Sequence, residues 1–138
     1  QRVYRLSADL ETISVVADGF KQPNGIVGDA ANRLLFIADI GDSKTYRFKI
    51  ADDGALIERE LFCEQGSDGM TIDNQGNLYL TGGQGVSVYS PEGKQIQVIS
   101  VPRNWTANVC FGGPKLNTLF ITASDSIFKI RMQVEGIR

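Results

Sequence analysis

The feature that most constrains this sequence is an internal repeat. Three segments superpose on one another and read PNGIVGDAANRLLFIAD, SDGMTIDNQGNLYLTG and ANVCFGGPKLNTLFITA. In each segment one polar residue stands ten or eleven positions ahead of a leucine that is followed by an aromatic residue. A repeat of about 40–44 residues is typical of folds that are built from copies of one supersecondary unit. The three polar residues are Asn24, Asp68 and Asn108.

Each unit is predicted to contain four short β-strands. Runs rich in β-branched and aromatic residues, such as LLFI from Leu34 and VSVY from Val86, alternate with turns rich in Gly, Asp, Asn and Pro. Four strands per unit at this period predict an all-β fold, a β-propeller of about three blades. We expect one partial propeller domain over 1–138. Its predicted parts are the outer strands of a blade over 1–20, blades over 21–65 and 66–105, and a partial last blade over 106–138.

Three blades cannot close a ring. An open half of a propeller would expose sheet faces and unpaired strand edges, which favour aggregation. We therefore expect this chain to be the C-terminal half of a six-bladed propeller. It would then require either the missing N-terminal half, in a chain of about twice this length, or a second copy of itself.

The repeated polar residues predict a site at the channel. The innermost strand of each blade lines the axis, so residues at the start of the inner strands converge there. Taken singly, Asn24 is explained as a turn residue after Pro23, and Asp68 as part of an Asp-Gly turn. Their recurrence with Asn108 at one repeat position favours a shared function instead.

Composition excludes several classes of function. The net charge is −2, so no strongly basic face indicates nucleic-acid binding. The longest apolar run, Leu34 to Ala38, is far shorter than the roughly 20 residues of a membrane helix. No histidine is present, which excludes His-based triads and zinc sites within this chain. We expect a soluble protein, in the cytoplasm or, if a leader has been removed, in the periplasm or outside the cell.

The two cysteines, Cys63 and Cys110, are too few and too far apart to predict a disulfide framework or a zinc motif. Cys110 falls in a predicted inner strand and Cys63 at the end of an outer strand of a different unit. We therefore expect two buried thiols that form no disulfide with each other.

Several motifs together resemble one known family. They are QPNGI from Gln22, SDGMT from Ser67, GNLY from Gly76 and NVCFGG from Asn108. In this order they resemble the senescence-marker/gluconolactonase/luciferin-regenerating family, along essentially the whole chain. The resemblance implies a six-bladed propeller with a divalent metal, commonly calcium, in its central channel. It also implies the hydrolysis of sugar lactones or other lactones.

The resemblance assigns roles to individual residues. It implies that Asn24, in the PNG motif, and Asp68, in the DGM motif, bind the metal, and that Asp68 is also the general base or nucleophile. A Glu that completes the metal site in the family has no counterpart in this chain. Amide and carboxylate oxygens suit Ca²⁺, or alternatively Mg²⁺, better than zinc or copper. Asn108 is expected either to line the substrate pocket or to cap its own strand.

Other polar or aromatic positions have simpler explanations. The GGQG sequence from Gly82 precedes a predicted strand, so it is expected to form a hairpin turn and not a phosphate loop. The DNQGN sequence from Asp73 lacks the distal Glu of a calcium loop and is also expected to be a hairpin. Asp39 is expected to brace a loop. Trp105 either walls the pocket or packs in the core.

Two classes of function follow. The first is a metal-dependent hydrolase that opens a lactone, most simply a sugar-acid lactone, with Asp68 as the base. The second is a non-catalytic propeller that binds calcium or a protein partner. Propellers serve both purposes, so the fold by itself does not separate them.

Overall fold

The computed structural model describes residues 1–137, which form thirteen β-strands and no helix. No part of that range could therefore cross a membrane as a helix. The strands are β1 (Val3–Leu6), β2 (Ile13–Ala17), β3 (Pro23–Asp29), β4 (Leu34–Asp39), β5 (Lys44–Ile50), β6 (Leu56–Cys63), β7 (Met70–Ile72), β8 (Leu78–Gly82), β9 (Gly85–Tyr89), β10 (Gln95–Ser100), β11 (Thr106–Gly112), β12 (Thr118–Ala123) and β13 (Ser126–Arg131).

The strands form four antiparallel sheets in chain order. β1 pairs with β2, β3 to β6 form a four-stranded sheet, β7 to β10 form another, and β11 to β13 form a three-stranded sheet. Every sheet is a meander, because each strand pairs with its neighbours in the sequence. The all-β prediction is confirmed, and two of the four sheets have the four strands predicted for a unit.

Tight turns connect the strands where the sequence places glycine. Gly54, Gly76 and Gly93 have positive φ angles of 80°, 81° and 78° in the β5–β6, β7–β8 and β9–β10 connections. Glycine adopts this conformation without the steric cost that a Cβ atom would bring. The GGQG segment joins β8 to β9, with Gly82 paired to Gly85, so the predicted hairpin is confirmed. The DNQGN segment likewise joins β7 to β8.

The core consists of apolar layers between adjacent sheets. Side chains alternate between the two faces of a strand, so a central strand contributes to two layers. In β8, Leu78 and Leu80 pack toward the β3–β6 sheet, whereas Tyr79 packs toward the β11–β13 sheet. Both leucines are fully buried. Burial of a side chain of this size stabilises the fold by roughly 1.5–3 kcal/mol.

The two cysteines differ in their surroundings. Cys63 is buried in the layer between two sheets, and this burial raises the pKa of its thiol to about 11. Cys110 is exposed, so the prediction that both thiols are buried is wrong for Cys110. Its neighbour Val109 faces the core, and the two-residue period of β11 turns Cys110 to the opposite face. Both thiols are free, which confirms the prediction of no disulfide.

Large apolar side chains are exposed toward both ends of the row of sheets. Tyr4 on β1 and Ile26 on β3 are 58% and 52% exposed, and Ile127 on β13 is 76% exposed. β1 and β2 cover part of the β3–β6 sheet through Val3 and Ala17, which pack against a small buried cluster around Phe48. The row of sheets therefore presents incompletely covered apolar surface at both ends.

Candidate functional site

The starts of the inner strands β3 and β7 are in direct contact. Asn24 is the second residue of β3, and Asp68 lies two residues ahead of β7. The Gly25 amide N–H donates to the Ser67 carbonyl at 3.0 Å. A Cβ atom on Gly25 would lie 2.8 Å from that same carbonyl oxygen. Only glycine permits this approach, which explains why the PNG motif has glycine at its third position.

The start of β11 approaches β7 in the same way. A Cβ atom on Gly69 would lie 2.3 Å from Asn108 Oδ1 and 2.8 Å from Asn108 Cα. The glycine of the DGM motif therefore lets β11 pack directly against the residue that follows Asp68. The structure thus places Asn24, Asp68 and Asn108 at one end of three adjacent inner strands.

Asp68 is the centre of this cluster. Its Oδ1 accepts a hydrogen bond from Asn24 Nδ2 at 2.8 Å, and its Oδ2 accepts one from Trp105 Nε1 at 2.8 Å. An ionised carboxylate offers about four lone-pair positions, so two remain beyond these bonds. The side chain is half-buried, and both donors are neutral. The carboxylate is therefore held in orientation while it keeps acceptor capacity for a ligand.

Asn108 has a different set of contacts. Its Oδ1 accepts from the backbone N–H of Val109 at 2.8 Å, so the side chain caps its own strand. The residue is exposed and lies over Gly69, one residue from Asp68. The capping bond leaves the amide NH₂ group of Asn108 with both of its donor hydrogens available.

Trp105 is the site residue whose position the sequence left undecided. It is 58% exposed, so it does not pack in the core. It stands three residues ahead of Asn108, where the other two repeats have Lys21 and Gln65. In the sequence, the indication that Trp105 lies at the candidate site is its position just ahead of a predicted inner strand. Its bond to Asp68, 37 positions earlier in the chain, exists only in the folded protein.

The donor set fits part of a cation site. Asp68 supplies a carboxylate and Asn24 an amide, and such oxygen ligands suit Ca²⁺ or Mg²⁺. Asn24 donates through its nitrogen in this arrangement, so its amide would have to rotate to offer oxygen to a cation. No cluster of three or more His, Cys, Asp or Glu side chains occurs within residues 1–137. Asp68 and Asn24 would supply two side-chain ligands here, out of the six to eight ligands that Ca²⁺ takes.

Asp39 has the bracing role that the sequence predicted. Its two carboxylate oxygens accept from the backbone N–H groups of Lys21 and Gln22 at 2.8 and 2.7 Å. Asp39 is 1% exposed. It therefore holds the loop that leads into β3 and positions Asn24 indirectly.

At the opposite end of β7, Asp73 is fully buried and accepts four hydrogen bonds. The backbone N–H groups of Gln75 and Asn77 donate to Oδ1, both at 2.9 Å. The Asn77 side chain and the Tyr79 hydroxyl donate to Oδ2 at 2.9 and 3.0 Å. Burial, together with the nearby Asp73 carboxylate, raises the pKa of the Tyr79 hydroxyl well above its usual range. Asp73 therefore shapes the hairpin.

The fold and the motifs identify a family. Residues 1–125 match the model of the SMP-30/gluconolactonase/LRE-like region. The chain belongs to this family. This SMP-30/gluconolactonase/LRE-like chain is 30% identical to the gluconolactonase of Zymomonas mobilis and 32% identical to pentonolactonase XacC of Haloferax volcanii. The two alignments cover 97% and 89% of this chain but 41% and 45% of those proteins, so the chain spans less than half of their length.

Solved structures of relatives share the fold. A gluconolactonase from Xanthomonas campestris superposes with a TM-score of 0.84 at 26% identity, over 99% of this chain and 44% of that one. Regucalcin from Agrobacterium tumefaciens, described as a calcium-binding protein, superposes with a TM-score of 0.86 at 19% identity. That match covers 99% of this chain and 54% of regucalcin, and at this identity it shows the fold alone. The sheets are therefore blades of a β-propeller.

Proposed function

We propose that this chain carries part of the active site of a cation-dependent hydrolase that opens sugar-acid lactones. The observation that carries the proposal is the Asp68 carboxylate. It lies at the meeting point of the inner strands, and neutral donors orient it without filling its acceptor capacity. Relatives support the substrate class, because they are named gluconolactonase, pentonolactonase and 6-deoxy-6-sulfogluconolactonase.

Asp68 and Asn24 are the residues proposed to hold a divalent cation, with Ca²⁺ first and Mg²⁺ as the alternative. A cation bound there would polarise the lactone carbonyl as a Lewis acid. Asp68 contributes the negative charge and Asn24 a neutral amide oxygen. The remaining ligands would come from water, from substrate or from protein outside these 138 residues.

Asp68 is proposed to act as the general base. Its carboxylate accepts a proton from the water molecule whose oxygen attacks the carbonyl carbon. The ring C–O bond then breaks, and the protonated Asp68 returns its proton to the ring oxygen, which leaves as a hydroxyl. The product is the open-chain hydroxy acid. Asn108, exposed beside Gly69, is proposed to contact the substrate through its free amide NH₂ group.

The exposed apolar ends of the row of blades support a further part of this proposal, namely that the working molecule is a six-bladed propeller. A second copy of the chain would bring the three strands β11 to β13 together with β1 and β2 of its partner. That shared blade would have five strands, whereas the other blades have four. A longer chain, which adds one outer strand to the last blade and two inner strands to the first, avoids the mismatch. We therefore favour the longer chain.

The mass in solution tests this assembly. The intact protein should be a single chain of about twice 15.1 kDa. A dimer of this chain would favour the second copy. A stable, well-ordered monomer of the 138-residue chain alone would contradict both forms of the proposal, since its apolar sheet faces would then need no cover.

The function is tested by hydrolysis of D-glucono-1,5-lactone by the intact protein, before and after removal of divalent cations with EGTA or EDTA. We expect activity to be lost with the chelator and restored by CaCl₂. Asp68→Asn should lower kcat at least about 100-fold, as expected for the loss of a general base, and Asn24→Ala should weaken cation binding and slow turnover less. Normal turnover by Asp68→Asn would refute the assignment. Calcium binding without hydrolysis would instead support the rival function, a non-catalytic binding propeller.

A further inference from the structure

Trp105 combines two properties that a purely structural residue would not need. More than half of its surface is exposed, and its indole N–H nevertheless donates to Asp68 Oδ2 at 2.8 Å. It is the one tryptophan among the 138 residues. Tryptophan usually gains stability by burying its large apolar ring. Here the indole ring stays largely exposed, and it lies beside the Asp68 carboxylate, which still has acceptor positions available.

The position of Trp105 is set by the blade. Its backbone carbonyl accepts from the Ser124 N–H at 3.0 Å, in the turn between β12 and β13. The next residue, Thr106, is buried and begins β11. Two positions earlier, Arg103 Nε lies 3.0 Å from Asp125 Oδ1 in the same turn. The segment that carries the indole is therefore anchored on both sides, so that the ring is pre-oriented before any ligand arrives.

We propose that Trp105 has two roles at this site: its indole N–H orients the Asp68 carboxylate, and its exposed ring binds the C–H face of the lactone ring. The proposal rests on the lactonase function argued above. Small-molecule sites typically combine an aromatic wall with a few oriented polar groups. Trp105 supplies the wall, and Asp68, Asn24 and Asn108 supply the polar groups.

The chemistry of a sugar lactone suits this arrangement. Its hydroxyl groups point outward from the ring, whereas its C–H bonds form a weakly apolar face that can lie flat on an indole. A ring held against Trp105 brings its edge toward Asp68, because the indole N–H and the carboxylate are already in hydrogen-bond contact. Trp105 is thus a substrate-binding residue through its ring and a positioning residue through its N–H.

Two substitutions in the intact protein separate the roles. Trp105→Phe keeps an aromatic ring and removes the N–H donor, so kcat should fall about tenfold while KM changes less than about twofold. Trp105→Ala removes both, so KM should also rise about tenfold, as expected for a lost aromatic contact. The matched control is Ile57→Ala, which removes exposed apolar surface from the outer strand β6 and should leave both constants unchanged.

Fluorescence supplies a readout that does not depend on turnover. The difference between the emission of the wild type and of Trp105→Phe reports Trp105 alone, even if the intact protein holds other tryptophans. We expect a saturable change in this difference when D-glucono-1,5-lactam, a ring analogue that resists hydrolysis, is added. If the wild type hydrolyses no lactone, the proposed function fails, and this titration still tests the ring contact.

The inference would be overturned by either of two results. One is that both Trp105 variants keep wild-type kcat and KM and that the lactam leaves the Trp105 emission unchanged. The other result is that Trp105→Ala lowers the melting temperature while kcat and KM per folded molecule stay at wild-type values. Trp105 would then have a structural role only. A rise of KM in Trp105→Ala but not in Trp105→Phe, with similar melting temperatures, would support it.

Discussion

Asp68 and Asp73 lie at opposite ends of the same three-residue strand, β7, and differ in almost every physical respect. Asp73 is fully buried, and four donors, all from the hairpin that it begins, fill its acceptor positions. Asp68 is half-buried and accepts two bonds, from Asn24 in the preceding blade and Trp105 at the start of the following one. The Asp73 carboxylate is saturated by its own turn, whereas the Asp68 carboxylate is held by side chains of neighbouring blades and keeps acceptor positions open.

This difference separates a structural acid from a candidate functional one. A carboxylate whose lone pairs are all occupied has no capacity left for a cation, a water molecule or a substrate. A carboxylate that is held by two donors keeps its orientation and still offers two positions. Of these two aspartates, five residues apart, only Asp68 keeps acceptor positions for a ligand, so hydrogen-bond saturation favours Asp68 as the candidate site residue.

The largest effect that tests the comparison is on stability. Asp73→Ala would leave the buried Tyr79 hydroxyl without a partner, at about 1–3 kcal/mol, and would remove three further, part-buried hydrogen bonds, at about 0.5–1.5 kcal/mol each. We expect the free energy of unfolding to fall by about 3 kcal/mol or more, measured by urea denaturation of the intact protein. Asp68→Ala should lower it by less than about 1 kcal/mol, because its donors are accessible to water. Equal losses of unfolding free energy in the two variants would contradict the distinction between a structural Asp73 and a functional Asp68.

A medium loss of stability is expected from a substitution at Gly69, where the start of β11 packs against the start of β7 beside Asp68. The Cβ atom of Gly69→Ala would overlap Asn108, so β11 must move away from Asp68. Overpacking of this kind typically costs about 1–3 kcal/mol, and lactone hydrolysis should fall with it. Gly83→Ala is the matched control, because its Cβ atom would meet nothing within 4 Å. If the two variants behave alike, close packing at Gly69 does not support the site.

The smallest expected loss of stability comes from removal of the Tyr79 hydroxyl, which donates a hydrogen bond to Asp73. Tyr79→Phe removes one of the four donors and should cost about 1 kcal/mol at neutral pH. The raised pKa of Tyr79 also predicts a pH dependence. The unfolded chain releases this proton near pH 10, and the folded chain only at higher pH. Tyr79 therefore adds a fall in the free energy of unfolding as the pH rises above 10.

Denaturation at several pH values between 8 and 11 measures this fall. The wild type should lose stability more steeply than Tyr79→Phe above pH 10, and the two slopes should agree below it. A Tyr79→Phe variant with the same slope as the wild type would show that the hydroxyl ionises equally easily in both states.

The strands, their grouping into units and the hairpins could be predicted because these features depend on local patterns. Alternating apolar residues define a strand face, and glycine, asparagine and aspartate define a turn. The repeat also identified Asn24, Asp68 and Asn108 as equivalent positions. Cys110 shows where such local reasoning fails, because which face of β11 is covered depends on the neighbouring sheet.

By itself, the sequence determined that the chain is built from propeller blades and that three polar residues recur at one position of the repeat. Only the tertiary structure decided that Asp68 contacts Asn24, 44 positions away in the chain, and Trp105, 37 positions away. It also decided that Asp73, which looks equally polar in the sequence, is saturated by its own turn. The physical reason is that a hydrogen bond between blades depends on how closely their backbones approach. That distance is set by the packing of whole sheets, with Gly25 and Gly69 at the points of contact.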